Sequence, residues 1–212
     1  MSIEDNGLEQ LDGWFTQSGP NIGGVPPTSF GSALLPGMRQ FYTFGPAYAD
    51  GLNAIKRPIL PNVGYLNLSF ELMTDVMTPT FAQALEFDTR ICISKTDYNF
   101  SGQFNYVEGG SFQIVDKSGK WIDTGWKPGK FQPYVWYPIT FQYGFDTAKK
   151  AFSFLSASNG VGSPFSIPKN MQGILSGPLA WEDTCNLQVQ LDLAQAGGEY
   201  SIFTRGMKYT WE

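Results

Sequence analysis

Residues 84–91 read ALEFDTRI, and the alternation in this run decides the fold class. Leu85, Phe87 and Ile91 share one parity, while Glu86, Asp88 and Arg90 share the other. Successive side chains along a strand point to opposite faces of the sheet. A strand here has one apolar face and one face carrying two carboxylates beside a guanidinium. The pattern extends to AQALEFDTRICI (82–93) as one strand.

The same period runs outward on both sides. In GYLNLSFELM (64–73), Leu66, Leu68, Phe70 and Leu72 oppose Tyr65, Asn67, Ser69 and Glu71. RQFYTFG (39–45), FSGQFNYV (100–107), SFQIVD (111–116), KWIDTGW (120–126) and VWYPITFQYGFD (135–146) read as further strands. KAFSFLSAS (150–158), NLQVQLDLA (186–194) and EYSIFTRGMKYTW (199–211) close the chain, the last two joined across Gly197-Gly198. Asp116-Lys-Ser-Gly119 and Thr147-Ala148-Lys149 read as hairpin turns. The Gly-, Pro- and Ser-rich stretch 17–37 reads as surface loop with at most a short strand, and 46–61 as loop. A single helical turn fits only within 46–57 or 168–175. Strands at such regular spacing indicate a sandwich or barrel, expected as one domain over residues 1–212.

Composition narrows the function. A hydrophobic fraction of 42% with 16% charged residues supplies a core and excludes a disordered chain. Net charge is −5 and no Lys/Arg stripe occurs, which argues against nucleic acid and anionic membrane as partners. The chain has no histidine, which excludes His ligation and Ser-His-Asp catalysis. Cys92 and Cys185 are too few for a zinc site. Two buried thiols is the plainer reading and one long-range bridge the other. The opening MSIEDNGLEQLDGW is acidic and polar, unlike a secretory leader. Asn67-Leu-Ser and Asn99-Phe-Ser match glycosylation acceptors, so a secreted origin with the leader removed stays open beside the cytosol. No signal sets an oligomeric state.

Alternation gathers Leu85, Phe87, Ile91, Phe104, Phe112, Ile114, Val189, Leu191 and Leu193 on one face. The other carries Glu86, Asp88, Arg90, Gln103, Asn105, Gln113, Gln188, Gln190 and Asp192. That set is rich in amides and carboxylates and poor in Lys. Such groups, flanked by Trp136 and Tyr143, suit a hydroxyl-rich ligand. Ordinary cross-strand hydrogen bonds and ion pairs are the plainer account of Glu86, Asp88 and Arg90. Trp121, Trp126 and Tyr106 are further rings for stacking, or core.

ALEFDT in an all-β chain resembles the concanavalin A-like lectin/glucanase superfamily. LDGW near the start, GGSFQIVD, KWIDTGW, VWYPITFQY, NLQVQLDL and a final aromatic strand follow in the expected order. The chain is similar to an uncharacterised bacterial and fungal branch with strands like ALEFD, GTQCN and Trp-His-His. It departs where that branch has cysteines, here Phe104, the loop WKPGKF (126–131) and Phe15-Thr16-Gln17-Ser18. It has Trp136-Tyr137-Pro138 in place of Trp-His-His. The resemblance implies an antiparallel two-sheet β-sandwich, the concanavalin A-like jelly roll, with a ligand on its concave sheet. Glucanases of the superfamily resemble E-x-D-x-x-E; here Glu86-x-Asp88 lacks the second Glu, which argues against hydrolysis. Alginate-lyase-like sheets need a His that is missing. Legume lectins resemble E-F-D-T followed by Asn, Asp and His metal ligands. Glu86, Asp88 and Asp97 match, but Cys92 and Gly102 replace Asn and His, and Arg90 would repel a cation.

The expected function is non-hydrolytic binding of an organic ligand, first a carbohydrate, with no metal and no cofactor. The alternative is a cofactor-independent cyclase or pericyclase of the Diels-Alderase kind. It would use an aromatic pocket, with Glu86 and Asp88 as the candidates for catalysis. A structural wall protein with a filled concave face is a third reading.

Overall fold

The computed structural model describes residues 2–17, 25–59, 64–146, 151–178 and 182–212. In chain order the strands begin with β1 (Ile3–Asp5), β2 (Phe15–Gln17), β3 (Ser29–Leu35), β4 (Met38–Gly45) and β5 (Asp50–Arg57). They continue with β6 (Tyr65–Thr74), β7 (Ala82–Ile93), β8 (Thr96–Asn105), β9 (Ser111–Val115), β10 (Trp121–Asp123) and β11 (Tyr137–Asp146). The set ends with β12 (Ala151–Ser158), β13 (Phe165–Ser166), β14 (Leu175–Pro178), β15 (Thr184–Leu193) and β16 (Gly198–Trp211). Among the described residues these form two eight-stranded sheets. One runs β13-β12-β11-β6-β16-β4-β3, with β1 beside β16. The other runs β10-β9-β8-β7-β15-β5-β2, with β14 beside β8. The ladders within both sheets are antiparallel. The expected antiparallel two-sheet β-sandwich is the observed architecture.

ALEFDTRI lies in β7, at the centre of the second sheet between β8 and β15. Its apolar parity faces the other sheet. Leu85, Phe87 and Ile91 are buried with Leu66, Leu68, Phe70 and Leu72 of β6 in one hydrophobic cluster. Aromatic rings knit the two layers: Phe70 and Phe87 lie 4.8 Å apart, and Phe112 and Phe141 stack at 5.6 Å. Such pairs add about 0.5–1.5 kcal/mol beyond area burial. Gly102 on β8 belongs to this layer, because a Cβ there would stand 2.9 Å from the Phe112 ring.

The Asp116–Gly119 turn forms as expected. Asp116 Oδ1 accepts from the Ser118 and Lys120 amides at 2.8 and 3.0 Å, and Gly119 takes φ +80. The Thr147-Ala148-Lys149 turn lies outside the described residues, as does part of 17–37. Three expectations are corrected. Residues 50–57 are a strand rather than loop or helix. Within 17–37, β3 is a full seven-residue strand, paired to β4 across Pro36-Gly37 with Gly37 at φ +72. Residues 168–175 make a turn closed by the Met171 amide on the Pro168 carbonyl at 2.8 Å, not a helix. The single α-helical turn among the described residues, α1 (Thr78–Phe81), lies elsewhere. Asp75 Oδ1 starts it by accepting from the Met77 and Thr78 amides.

Candidate functional site

The register of the second sheet turns sequence parity into a surface. Partners across a ladder share a face. One row crosses the sheet as Asp123, Gln113, Gln103, Glu86, Gln190, Leu52 and Gln17. On one side of it lie Ser111, Asn105, Ala84, Asp192 and Asp50. On the other lie Ser101, Asp88, Gln188, Ala54 and Phe15, with Trp121 opposite Val115 at the sheet edge. Beyond these come Leu175, Asn99, Arg90, Asn186 and Lys56. Nine expected residues therefore stand together on the outer face: Glu86, Asp88, Arg90, Gln103, Asn105, Gln113, Gln188, Gln190 and Asp192.

Two expected residues do not join them. Tyr143 is 0% exposed between the sheets, 4.7 Å from Phe100. Trp136 lies against Arg205, which pairs with Glu71 on the first sheet. Tyr106 and Trp126 also pack into the core cluster. These rings form no aromatic pocket on the polar face, so the cyclase alternative loses the walls it required. The rings that do border the face are Trp121, 37% exposed, and Phe15 at opposite edges.

The amides form a chain of fixed polarity. Gln113 Nε2 donates to Glu108 Oε2 at 2.9 Å, and Gln113 Oε1 accepts from Gln103 Nε2 at 2.7 Å and Asn105 Nδ2 at 3.2 Å. Across the central strands, Gln190 Nε2 donates to both Glu86 Oε2 and Asp192 Oδ1 at 3.0 Å. On this face Asp88 Oδ1, Asp97 Oδ1 and Asn186 Oδ1 are buried acceptors with no partner among the described residues. Asp88 is 5% exposed and Asn186 1%. A buried polar atom left unsatisfied costs about 1–3 kcal/mol, and folded proteins keep few.

Burial and mutual repulsion set the charge state. Glu86 is pushed well above the usual carboxylate range by burial, then by Asp88 and Asp192. Asp192 is pushed well up by burial and by Asp50. Burial also raises Asp50. Asp88 rises to about 6 through burial, held from going higher by hydrogen bonds from Glu86 and Ser101 and by Arg90.

Arg90 does not stand among these carboxylates as an open charge. Its Nη2 lies 2.5 Å from Asp97 Oδ2 in an ion pair. The lectin-like metal set Glu86, Asp88 and Asp97 is therefore divided by a guanidinium. Gly102, expected at the His position of that set, sits opposite Phe87 on the core side. No group of three or more Cys, Asp or Glu residues is placed to hold a metal ion among the described residues.

Sequence reading missed Asp50, Asn186, Ser101 and Phe15 on this face. Asp50 fell in an expected loop, because β5 buries Leu52 and Ala54 on the polar side and so shows no alternation. Asn186 and Ser101 carried the parity signal in strands already read.

No protein-family model matches the chain, and no curated protein does. Solved structures do. A β-1,3-1,4-glucanase (lichenase) derived from a mouse hindgut metagenome aligns with TM-score 0.56 and 10% identity, over 100% of this chain and 98% of that one. Peanut lectin, solved with a 9mer peptide, gives 0.55 and 11% identity, over 100% and 98%. Alginate lyase vAL-1 from Chlorella virus gives 0.53 and 10%, over 87% and 89%. At such identities the likeness is one of fold, and the fold is the concanavalin A-like jelly-roll sandwich.

Proposed function

We propose that this concanavalin A-like sandwich binds a carbohydrate on the outer face of its second sheet and does not hydrolyse it. The observation that carries the reading is the buried amide and carboxyl row Gln113, Gln103, Glu86 and Gln190, flanked by acceptors without partners at Asp88 and Asn186. Sugar hydroxyls donate to such acceptors, and amides fix their direction. Trp121 at the edge supplies a ring for a sugar face. Lectin and glycosidase folds among the structural neighbours support this class of ligand.

Hydrolysis needs two carboxyls about 5–5.5 Å apart for retention or about 6.5–9.5 Å for inversion. Glu86 and Asp88 interact with each other through a side-chain hydrogen bond. Glu86 and Asp192 have the Gln190 amide between them. Both pairs are thus engaged with one another or with a neighbouring amide.

A glycan array followed by calorimetry tests the reading. At least one oligosaccharide is expected to bind without release of reducing ends. Gln103→Ala is expected to weaken that binding about tenfold. A blank array together with flat calorimetry would overturn it.

A further inference from the structure

We infer that this face selects a ligand carrying a protonated amine among its hydroxyls, such as an amino sugar, over its neutral counterpart. The inference rests on the carbohydrate-binding reading and specifies the ligand's charge.

Carboxylates outnumber cations on the face. Asp50, Glu86, Asp88 and Asp192 lie on three adjacent central strands, β5, β7 and β15. Arg90 is already paired with Asp97, and Lys56 stands at the far end of the Arg90 row on β5. Neither cation lies in the rows that hold the four acids. Within this sheet the acids are offered hydrogen bonds from the Gln190 amide, the Ser101 hydroxyl and the Gly102 backbone amide, all neutral groups, and only Asp88 feels the charge of Arg90.

A second feature points to a donor that the chain does not itself provide. Asp88 Oδ1 is buried without a partner, and so is Asn186 Oδ1 one row along the same face. An ammonium offers three donors and a full charge, and it meets both deficits at once. A neutral hydroxyl meets one acceptor and leaves the repulsion among Glu86, Asp88, Asp192 and Asp50 in place. Burial already raises all four groups towards their neutral forms, and repulsion adds to it at Glu86 and Asp192, a cost that a bound cation relieves.

Calorimetry at about pH 6.5, where amines carry charge, compares three probes. They are the glucosamine hexamer, its fully N-acetylated counterpart of equal length, and spermidine. The glucosamine hexamer is expected to bind about tenfold or more tighter than the acetylated one. Asp88→Asn is expected to erase most of that preference while leaving the melting temperature unchanged or raised. Asp50→Asn serves as a second variant where the first does not fold. Equal binding of both hexamers overturns the charge selection and leaves the carbohydrate reading standing. Spermidine binding as tightly as the glucosamine hexamer, with the acetylated hexamer silent, supports the charge selection and overturns the carbohydrate reading. Silence from all three overturns the charge selection, and a blank array beside it overturns the carbohydrate reading as well.

Discussion

Asp88 shows how far one residue's chemistry depends on what surrounds it. In the sequence it is the second carboxylate of an E-x-D motif. In the fold it is a buried acid, hydrogen-bonded by Glu86 and raised to about 6 chiefly by burial. A carboxyl raised in the folded state favours the protonated form there. Its contribution to stability is complete below the unfolded value near 3.8 and is lost as pH rises through about 6. Glu86, Asp192 and Asp50 act with the same sign. Glu71, held down by Arg205, and Asp116, held down by Ser118, act in the opposite sense, losing stability as pH falls below the ordinary carboxylate range. Stability is therefore expected to peak in mild acid. Urea unfolding should show the protein more stable at about pH 5 than at about pH 8, with Asp88 contributing on the order of 1 kcal/mol to that difference. Asp88→Asn should flatten that slope. A urea midpoint that falls between pH 8 and pH 5 would contradict this account.

At the scale of the element, the period of two carried most of the reading. Each strand residue states its own side, so the polar and apolar sets on β7, β8, β9 and β15 were legible without knowing any neighbour. Cys92 and Cys185 show the same rule at work. They are diagonal neighbours on β7 and β15, since Thr184 pairs with Cys92 and Cys185 with Ile91. Cys92 takes the parity of the polar face and Cys185 that of the core, so their thiols point to opposite sides and no disulfide joins them. Both thiols are buried, and burial pushes Cys185 up to about 12. A thiol reagent such as Ellman's should read none in the native protein and two in denaturant, under oxidising or reducing preparation alike. A native protein that yields no thiol even after denaturation would mean that a bridge had formed. The period failed at β5, where Leu52 and Ala54 are apolar and buried on the side that carries polar residues in the neighbouring strands.

At the scale of the molecule, contacts distant in sequence hold the layers in place. Glu9, in the 3-10 turn Leu8–Gln10, reaches a bulge in β16 between Arg205 and Lys208. Its two oxygens accept from the Gly206 and Met207 amides at 3.0 and 2.8 Å. Arg39 on β4 donates to the Glu9 and Leu11 carbonyls at 2.7 and 3.0 Å and lies over the Trp14 ring. The N-terminal segment is thereby latched to β16 and β4, neighbouring strands inside the first sheet. Glu9→Ala leaves two strand amides without acceptors and should cost about 2–4 kcal/mol, read as a lower urea midpoint with unchanged slope. A loss under about half a kcal/mol would show that water satisfies the bulge instead.

The sequence alone determined which residues share a face, where the Asp116–Gly119 turn falls, and hence an all-β sandwich or barrel with one amide- and carboxylate-rich side. Those features are local: they follow from backbone geometry and the chemistry of residues a few positions apart. Only the tertiary structure decided which strands became neighbours. It set Gln190 on Glu86 across 104 residues, brought Asp50 beside Asp192, and moved Tyr143 and Trp136 away from the polar face. Strand pairing of that kind is settled by the packing of every layer at once, against the entropy of closing long loops, and no single run of residues records it.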